Sequence, residues 1–157
     1  MEDTLKFFSD FFSNYILISA IGAWLLAQIF KVFTGMFKAR KFSIGVLLFS
    51  NGGMPSSHSA AVSALAASTI IVYGVASFEC AISTLFAIIV MNDALGVRYE
   101  TGKQAKVLNK ITKELFSGNP AEINTGLKEL VGHTPFQVVV GAALGIAFAV
   151  VLGLIMV

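Results

Sequence analysis

FFSNYILISAIGAWLLAQIF, residues 11–30, runs for 20 positions without a charged side chain. A helix rises about 1.5 Å per residue, so such a run is long enough to cross a hydrocarbon core of ~30 Å. The stretch predicts a first membrane span from Phe11 to Phe30. The rest of the chain agrees: of its 157 residues, 56% are hydrophobic and only 13% charged, whereas soluble domains carry roughly 25% charged residues.

Moving outward, residues 42–78 are also free of lysine, arginine, aspartate and glutamate, but SNGGMPSSH at 50–58 interrupts them with residues that cannot continue a helix. The second span is therefore expected from near Pro55 to Tyr73–Phe78. Cys80 to Val97 forms a third, with Asp93 near its far end, and a fourth starts around His133 and runs toward Val157. Between them Val107, Leu108, Ile111 and Leu115 interleave with Lys103, Lys106, Lys110 and Lys113 at helical spacing, the pattern of an interfacial amphipathic helix. The expected fold is all-α: a polytopic membrane helical bundle of about four transmembrane helices plus that interfacial helix, with residues 1–157 forming one membrane-embedded domain. KFSIGVLLFSNGG, residues 41–53, is too short for a full span, and residues 42–54 are candidates for a re-entrant segment.

The acidic start MEDTLKFF lacks the features of a removable signal peptide, so the first apolar segment is expected to stay in the mature chain. The lone Cys80 excludes an internal disulfide and a multi-cysteine zinc site. Of 11 basic residues, Lys38, Arg40 and Lys41 follow the first span, and Arg98, Lys103, Lys106, Lys110, Lys113 and Lys128 follow the third. Short cytoplasmic loops concentrate Lys and Arg, which places both polar connections inside an inner (cell) membrane and both chain ends outside.

That topology brings His58, Asp93, Arg98, His133 and Lys31 to one depth, at the cytoplasmic face. In GGMPSSHSA, residues 52–60, Pro55 suits a first helical turn, and Ser56, Ser57 and nearby amides can face an anion. His58, one turn in, titrates near neutral pH. GHTPFQVVVGAALG, residues 132–145, repeats the arrangement with His133 at a helix start, Pro135 in the first turn and Gln137 four residues on. Gly141 and Gly145 have the spacing of close helix packing. Asp93 and Arg98 either pair with each other or serve a site, Arg98 binding phosphate and Asp93 orienting a histidine ring. Lys31 either snorkels to the headgroups or turns toward a phosphate.

These motifs resemble the phosphatidic acid phosphatase type 2 superfamily, which includes the vanadium haloperoxidases, and most closely its divergent branch of short four-span proteins. GGMPSSHSA is similar to the superfamily's P-S-x-H element, HTPFQVVVGAALG follows H-x-x-x-D-V-x-x-G-x-x-x-G in spacing, and NDALGVR with TGKQAKVLN looks like the branch's own signature. The resemblance implies metal-independent hydrolysis of a lipid phosphomonoester or pyrophosphate, such as phosphatidylglycerophosphate or phosphatidate, without a cofactor. It makes His133 the nucleophile that becomes phosphohistidine and His58 the general acid. Lys31, Ser56, Ser57 and Arg98 would cradle phosphate, with Gln137 or Asp93 orienting His133. Three positions depart from the superfamily: Gln137 stands where an acid is usual, Leu127 lies in the region of an arginine, and Ala39 stands where a proline follows Lys38.

The expected partner is a membrane lipid substrate, with no nucleic acid, and a homo-oligomer is compatible with the sequence. Two further readings use the same residues: a non-catalytic binder or carrier of phospholipid or anion, favoured by Gln137, and a metal site made by His58, His133 and Asp93. A reporter fused within residues 103–128 is expected on the cytoplasmic side of the membrane; a reporter found outside would reverse the orientation.

Overall fold

In the computed structural model of the chain, the described residues are 2–39, 54–115, 127 and 133–157, with the side chains of 2, 34–39 and 97–99 excluded. The re-entrant reading of residues 42–54 and the positions of Arg40, Lys41 and Lys128 lie outside them, apart from Met54. Six helices are present among the described residues: α1 Glu2–Phe12, α2 Tyr15–Ala39, α3 Ser57–Tyr73, α4 Phe78–Leu95, α5 Val97–Leu115 and α6 Pro135–Met156. The expected all-helical membrane bundle is what the chain forms.

Three apolar stretches, in α2, α4 and α6, are long enough to cross a membrane, whereas α3 is an apolar helix of 17 residues. At about 1.5 Å per residue α3 reaches only about 25 Å. It lies at the centre of the bundle, packed against α2, α4 and α6.

The first span differs from its expected bounds. Phe11 and Phe12 end a separate amphipathic helix, α1, and the spanning helix starts at Tyr15. The break is made by two small polar residues. Ser13 Oγ donates to the Ser9 carbonyl at 2.8 Å, and Asn14 Oδ1 accepts from Leu17 N at 3.1 Å, which caps the first turn of α2. In α1, Leu5, Phe7, Phe8, Phe11 and Phe12 are exposed, alternating with Asp3, Lys6, Ser9 and Asp10. This is an aromatic face at the entrance of the first span.

α3 ends where Gly74 adopts φ 81, a left-handed conformation suited to glycine, and gives its N–H to the Ile70 carbonyl. Ser77 then caps α4, accepting from Cys80 N at 3.1 Å. At the other end Gly96 N donates to Asn92 O at 2.8 Å and the chain turns into α5, so the third span closes at Leu95 rather than Val97. α5 is the expected amphipathic helix, with Val107, Leu108, Ile111 and Leu115 exposed.

Packing at the centre is made by small side chains. Ala23 and Ala27 of α2, Ala60 and Ala64 of α3 and Ala149 of α6 form a fully buried cluster. A methyl group on Gly141 would strike the Ser56 carbonyl, and one on Gly145 would strike the Ala60 carbonyl. The two helices therefore meet backbone to backbone, as small-xxx-small spacing permits. Farther along α6, Tyr15 Oη donates to the Ala149 carbonyl at 2.7 Å beside Gly153.

Because the obstructing atoms are backbone, no rotamer change can accommodate an added carbon. Gly145→Ala is expected to destabilise the detergent-solubilised protein by about 1–3 kcal/mol, the usual range for overpacking. Ala147→Leu, on the exposed face of α6, is the control. Equal unfolding midpoints for the two variants would contradict the packing.

Candidate functional site

The site starts at the cap of α3. Ser56 has extended backbone (φ −70, ψ 113), and its Oγ accepts from Ser59 N at 3.4 Å and from Ser59 Oγ at 3.0 Å. Both acceptor positions are thus engaged, which leaves the Ser56 hydroxyl its own proton to donate. Its backbone N–H donates to the Gln137 carbonyl at 3.1 Å, tying the start of α3 to the first turn of α6. Since Ser56 is the cap, Pro55 sits one residue ahead of it and not in the first helical turn, and His58 is the second helical residue.

Ser57, the first residue of α3, accepts from Lys31 Nζ at 3.2 Å. Lys31 is only 3% exposed, so of the two alternatives open from the sequence it turns inward onto α3 instead of outward to headgroups. A cation and two hydroxyls are thereby gathered at the N-terminus of a helix, whose amides and dipole favour an anion.

The second histidine precedes its helix. α6 starts at Pro135 with Thr134 as cap, so His133 stands one residue outside the cap and not within the helix. Thr134 and Gln137 form a capping box: Gln137 N donates to Thr134 Oγ1 at 3.4 Å, and Thr134 N donates to Gln137 Oε1 at 3.1 Å. This fixes which end of the Gln137 amide is oxygen. The same Oε1 lies 3.3 Å from His133 Nδ1. A carbonyl oxygen only accepts, so Nδ1 carries the proton and, in the neutral ring, Nε2 holds the lone pair.

His133 is buried, His58 is exposed, and their ring centroids are 6.4 Å apart at an interplanar angle of 57°. One small group can meet both rings. His133 N donates to the Ala94 carbonyl at 3.4 Å, which brings in the C-terminal end of α4, where half-buried Asp93 is the neighbouring residue. Arg98 lies in the first turn of α5, after Gly96; its side chain is outside the described part. No three His, Cys, Asp or Glu side chains among the described residues cluster as a metal would require, so the geometry gives the metal reading of His58, His133 and Asp93 no support.

Three features around this end carry no assignment from the sequence alone. The Thr134–Gln137 box has a readable signature, T-P-F-Q, which gives Gln137 a capping role besides its place next to the ring. Asn109 of α5 holds Leu127 from both sides, Nδ2 donating to its carbonyl and Oδ1 accepting from its N–H, each at 2.9 Å. Leu127 lies in the region of the superfamily arginine, so α5 anchors the backbone six residues before His133. That contact spans 18 residues and has no local signal. The third is Gln28, buried on α2 one turn before Lys31.

The fold is that of a membrane protein, with the candidate site residues gathered at one end of a helical bundle. The chain belongs to the Divergent PAP2 family, whose profile matches residues 12–148, a range that contains all the candidate site residues. It is 39% identical over 153 residues to YuiD of Bacillus subtilis (strain 168), described as an uncharacterized membrane protein, with 91% of this chain and 96% of that one covered. No solved structure matches the chain.

The hydrogen-bond assignment at Gln137 fixes a tautomer that can be measured. In NMR spectra of the protein labelled with 15N-histidine, at a pH where the ring is neutral, His133 Nδ1 is expected at the protonated shift and Nε2 at the unprotonated one. The reverse pattern would contradict the assignment.

Proposed function

We propose that the protein is a metal-independent lipid phosphate phosphatase that works through a phosphohistidine on His133. The observation that carries this reading is the pairing of a buried His133, its Nδ1 held by Gln137 Oε1, with an exposed His58 whose ring lies 6.4 Å away. A nucleophilic nitrogen and a proton donor that can reload from solvent are the two groups that phosphoryl transfer to nitrogen and back to water requires.

In the first step Nε2 of His133 bonds to phosphorus while the bond from phosphorus to the alcohol oxygen breaks, and protonated His58 gives its proton to that oxygen. In the second, water attacks phosphorus and loses a proton to His58; the P–N bond breaks, inorganic phosphate leaves, and the imidazole is restored. Lys31, Ser56, Ser57 and Arg98 stabilise the phosphoryl oxygens, as positioned cations and hydroxyls do in such reactions. Gln137 orients the ring but, being neutral, adds no charge to stabilise an imidazolium; Asp93, beside the Ala94 whose carbonyl accepts from His133 N, is the candidate to supply it. The unit is one membrane domain in the cell membrane, with its site at the cytoplasmic face as the basic loops indicate. That side suits glycerophospholipid intermediates such as phosphatidylglycerophosphate or phosphatidate. The neutral Gln137 favours one competing reading, a carrier that binds the lipid phosphate without cleaving it.

Phosphate release by the purified protein, in chelator and with mixed micelles of lipid phosphates, separates the two. The wild type is expected to turn over and to be inhibited by vanadate. His133→Ala should lose roughly a thousandfold or more, and His58→Ala about a hundredfold. A wild type inactive across the panel, or activity that survives in His133→Ala, would contradict the phosphatase reading.

Gln137→Glu keeps the capping box, since Glu serves at that position as well as Gln. It adds a charge beside Nδ1, and stabilising the imidazolium by about 1.4 kcal/mol would raise turnover about tenfold. Unchanged or lower turnover in a well-folded Gln137→Glu protein would mean that orientation alone limits His133.

A further inference from the structure

The middle of α2 buries Ala27, Gln28 and Lys31 at 0%, 4% and 3% exposure. Lys31 reaches Ser57, but Gln28 Oε1 is buried with no hydrogen-bond partner among the described residues. Buried polar atoms in proteins are nearly always paired, and at membrane depth there is no bulk water to pair with. An acceptor kept in this position calls for a donor that the described residues do not provide.

Resting on the phosphatase reading, we propose that Gln28 reads the alcohol that carries the scissile phosphate, accepting a hydrogen bond from a free hydroxyl beside the ester oxygen. Residues three apart share a helix face. Gln28 therefore adjoins Lys31 but lies about 4.5 Å farther into the membrane, at about 1.5 Å per residue. In this reading a lipid phosphate held by Lys31 and Ser57 has its alcohol on the acyl-chain side, the side of Lys31 on which Gln28 lies. The group that satisfies Oε1 must donate. A phosphate dianion and an acyl ester carbonyl only accept, whereas a hydroxyl on a polyol headgroup donates. The favoured substrate class is thus a phosphomonoester on a hydroxyl-bearing headgroup, such as the terminal phosphate of phosphatidylglycerophosphate, over a phosphate borne directly on diacylglycerol, as in phosphatidate.

The test is the ratio of kcat/KM for these two lipids, presented at equal mole fraction in mixed micelles to the purified full chain. The wild type is expected to prefer phosphatidylglycerophosphate by roughly ten- to a hundredfold, the penalty of leaving one buried acceptor without its donor. In Gln28→Leu the ratio should fall toward one. Gln28→Met, similar in length and flexible, gives the same readout should the leucine variant fold poorly. A ratio unchanged in both variants, or shifted further toward phosphatidylglycerophosphate, would overturn the role of Gln28 while leaving the phosphatase reading intact. A wild type that prefers phosphatidate would likewise overturn it, the amide then reading a carbonyl through Nε2. A wild type that turns over neither lipid would overturn the phosphatase reading, and this proposal with it.

Discussion

Where α3 crosses α6, Gly141 lies against the Ser56 carbonyl and Gly145 against the Ala60 carbonyl, with no space for a single added carbon. Van der Waals packing and interhelical hydrogen bonds hold membrane helices together, because lipid is as apolar as leucine and offers little hydrophobic drive. The contact of glycine on carbonyl provides the first, and the bond from Ser56 N to Gln137 O, at 3.1 Å, provides the second. Both act at the helix N-termini that carry the histidines. The alanines of α2, α3 and α6 continue the close approach through the middle of the bundle. The position of His58 relative to His133 is therefore set by backbone contacts and not by flexible side chains.

Polar groups at this end share their roles economically. Gln137 Oε1 accepts from both Thr134 N and His133 Nδ1, so a helix cap and the orientation of an imidazole depend on one atom. Ser56 caps α3 while retaining a proton to donate, and Ser57 accepts from Lys31 while starting the same helix. A carboxylate in place of Gln137 would keep the cap and change only the charge beside the ring. This departure from the superfamily pattern thus bears on reactivity and leaves the architecture untouched.

Much of this was legible in the sequence because membranes impose simple rules. Charge-free runs marked the spans, and basic residues clustered after the first and third. Two histidines beside Pro55 and Pro135 marked the ends that meet. The boundaries were harder to read. Phe11 and Phe12 are as apolar as the span itself, so the break at Ser13 and Asn14 was hidden inside a continuous hydrophobic run; the local capping by Asn14 decides it. α3 starts after Pro55 and not at it, because the Ser56 side chain performs the cap. Contacts between distant segments left no local trace at all: Asn109 on Leu127, Lys31 on Ser57 and the burial of Gln28 each depend on how the helices are arranged. Residues 40–53 and 116–126, which flank two of the site's elements, lie outside the described part, and the readings made there rest on sequence alone.

The central claim is that His133 takes the phosphoryl group on Nε2. The most direct measurement is a rapid acid-free quench of the protein with lipid phosphate labelled with 32P at the scissile phosphorus, followed by peptide mapping. The account predicts an acid-labile, base-stable label on the peptide that contains His133, present in His58→Ala and absent from His133→Ala. Label on another residue, or turnover in single-turnover conditions with no labelled protein at any time point, would contradict it.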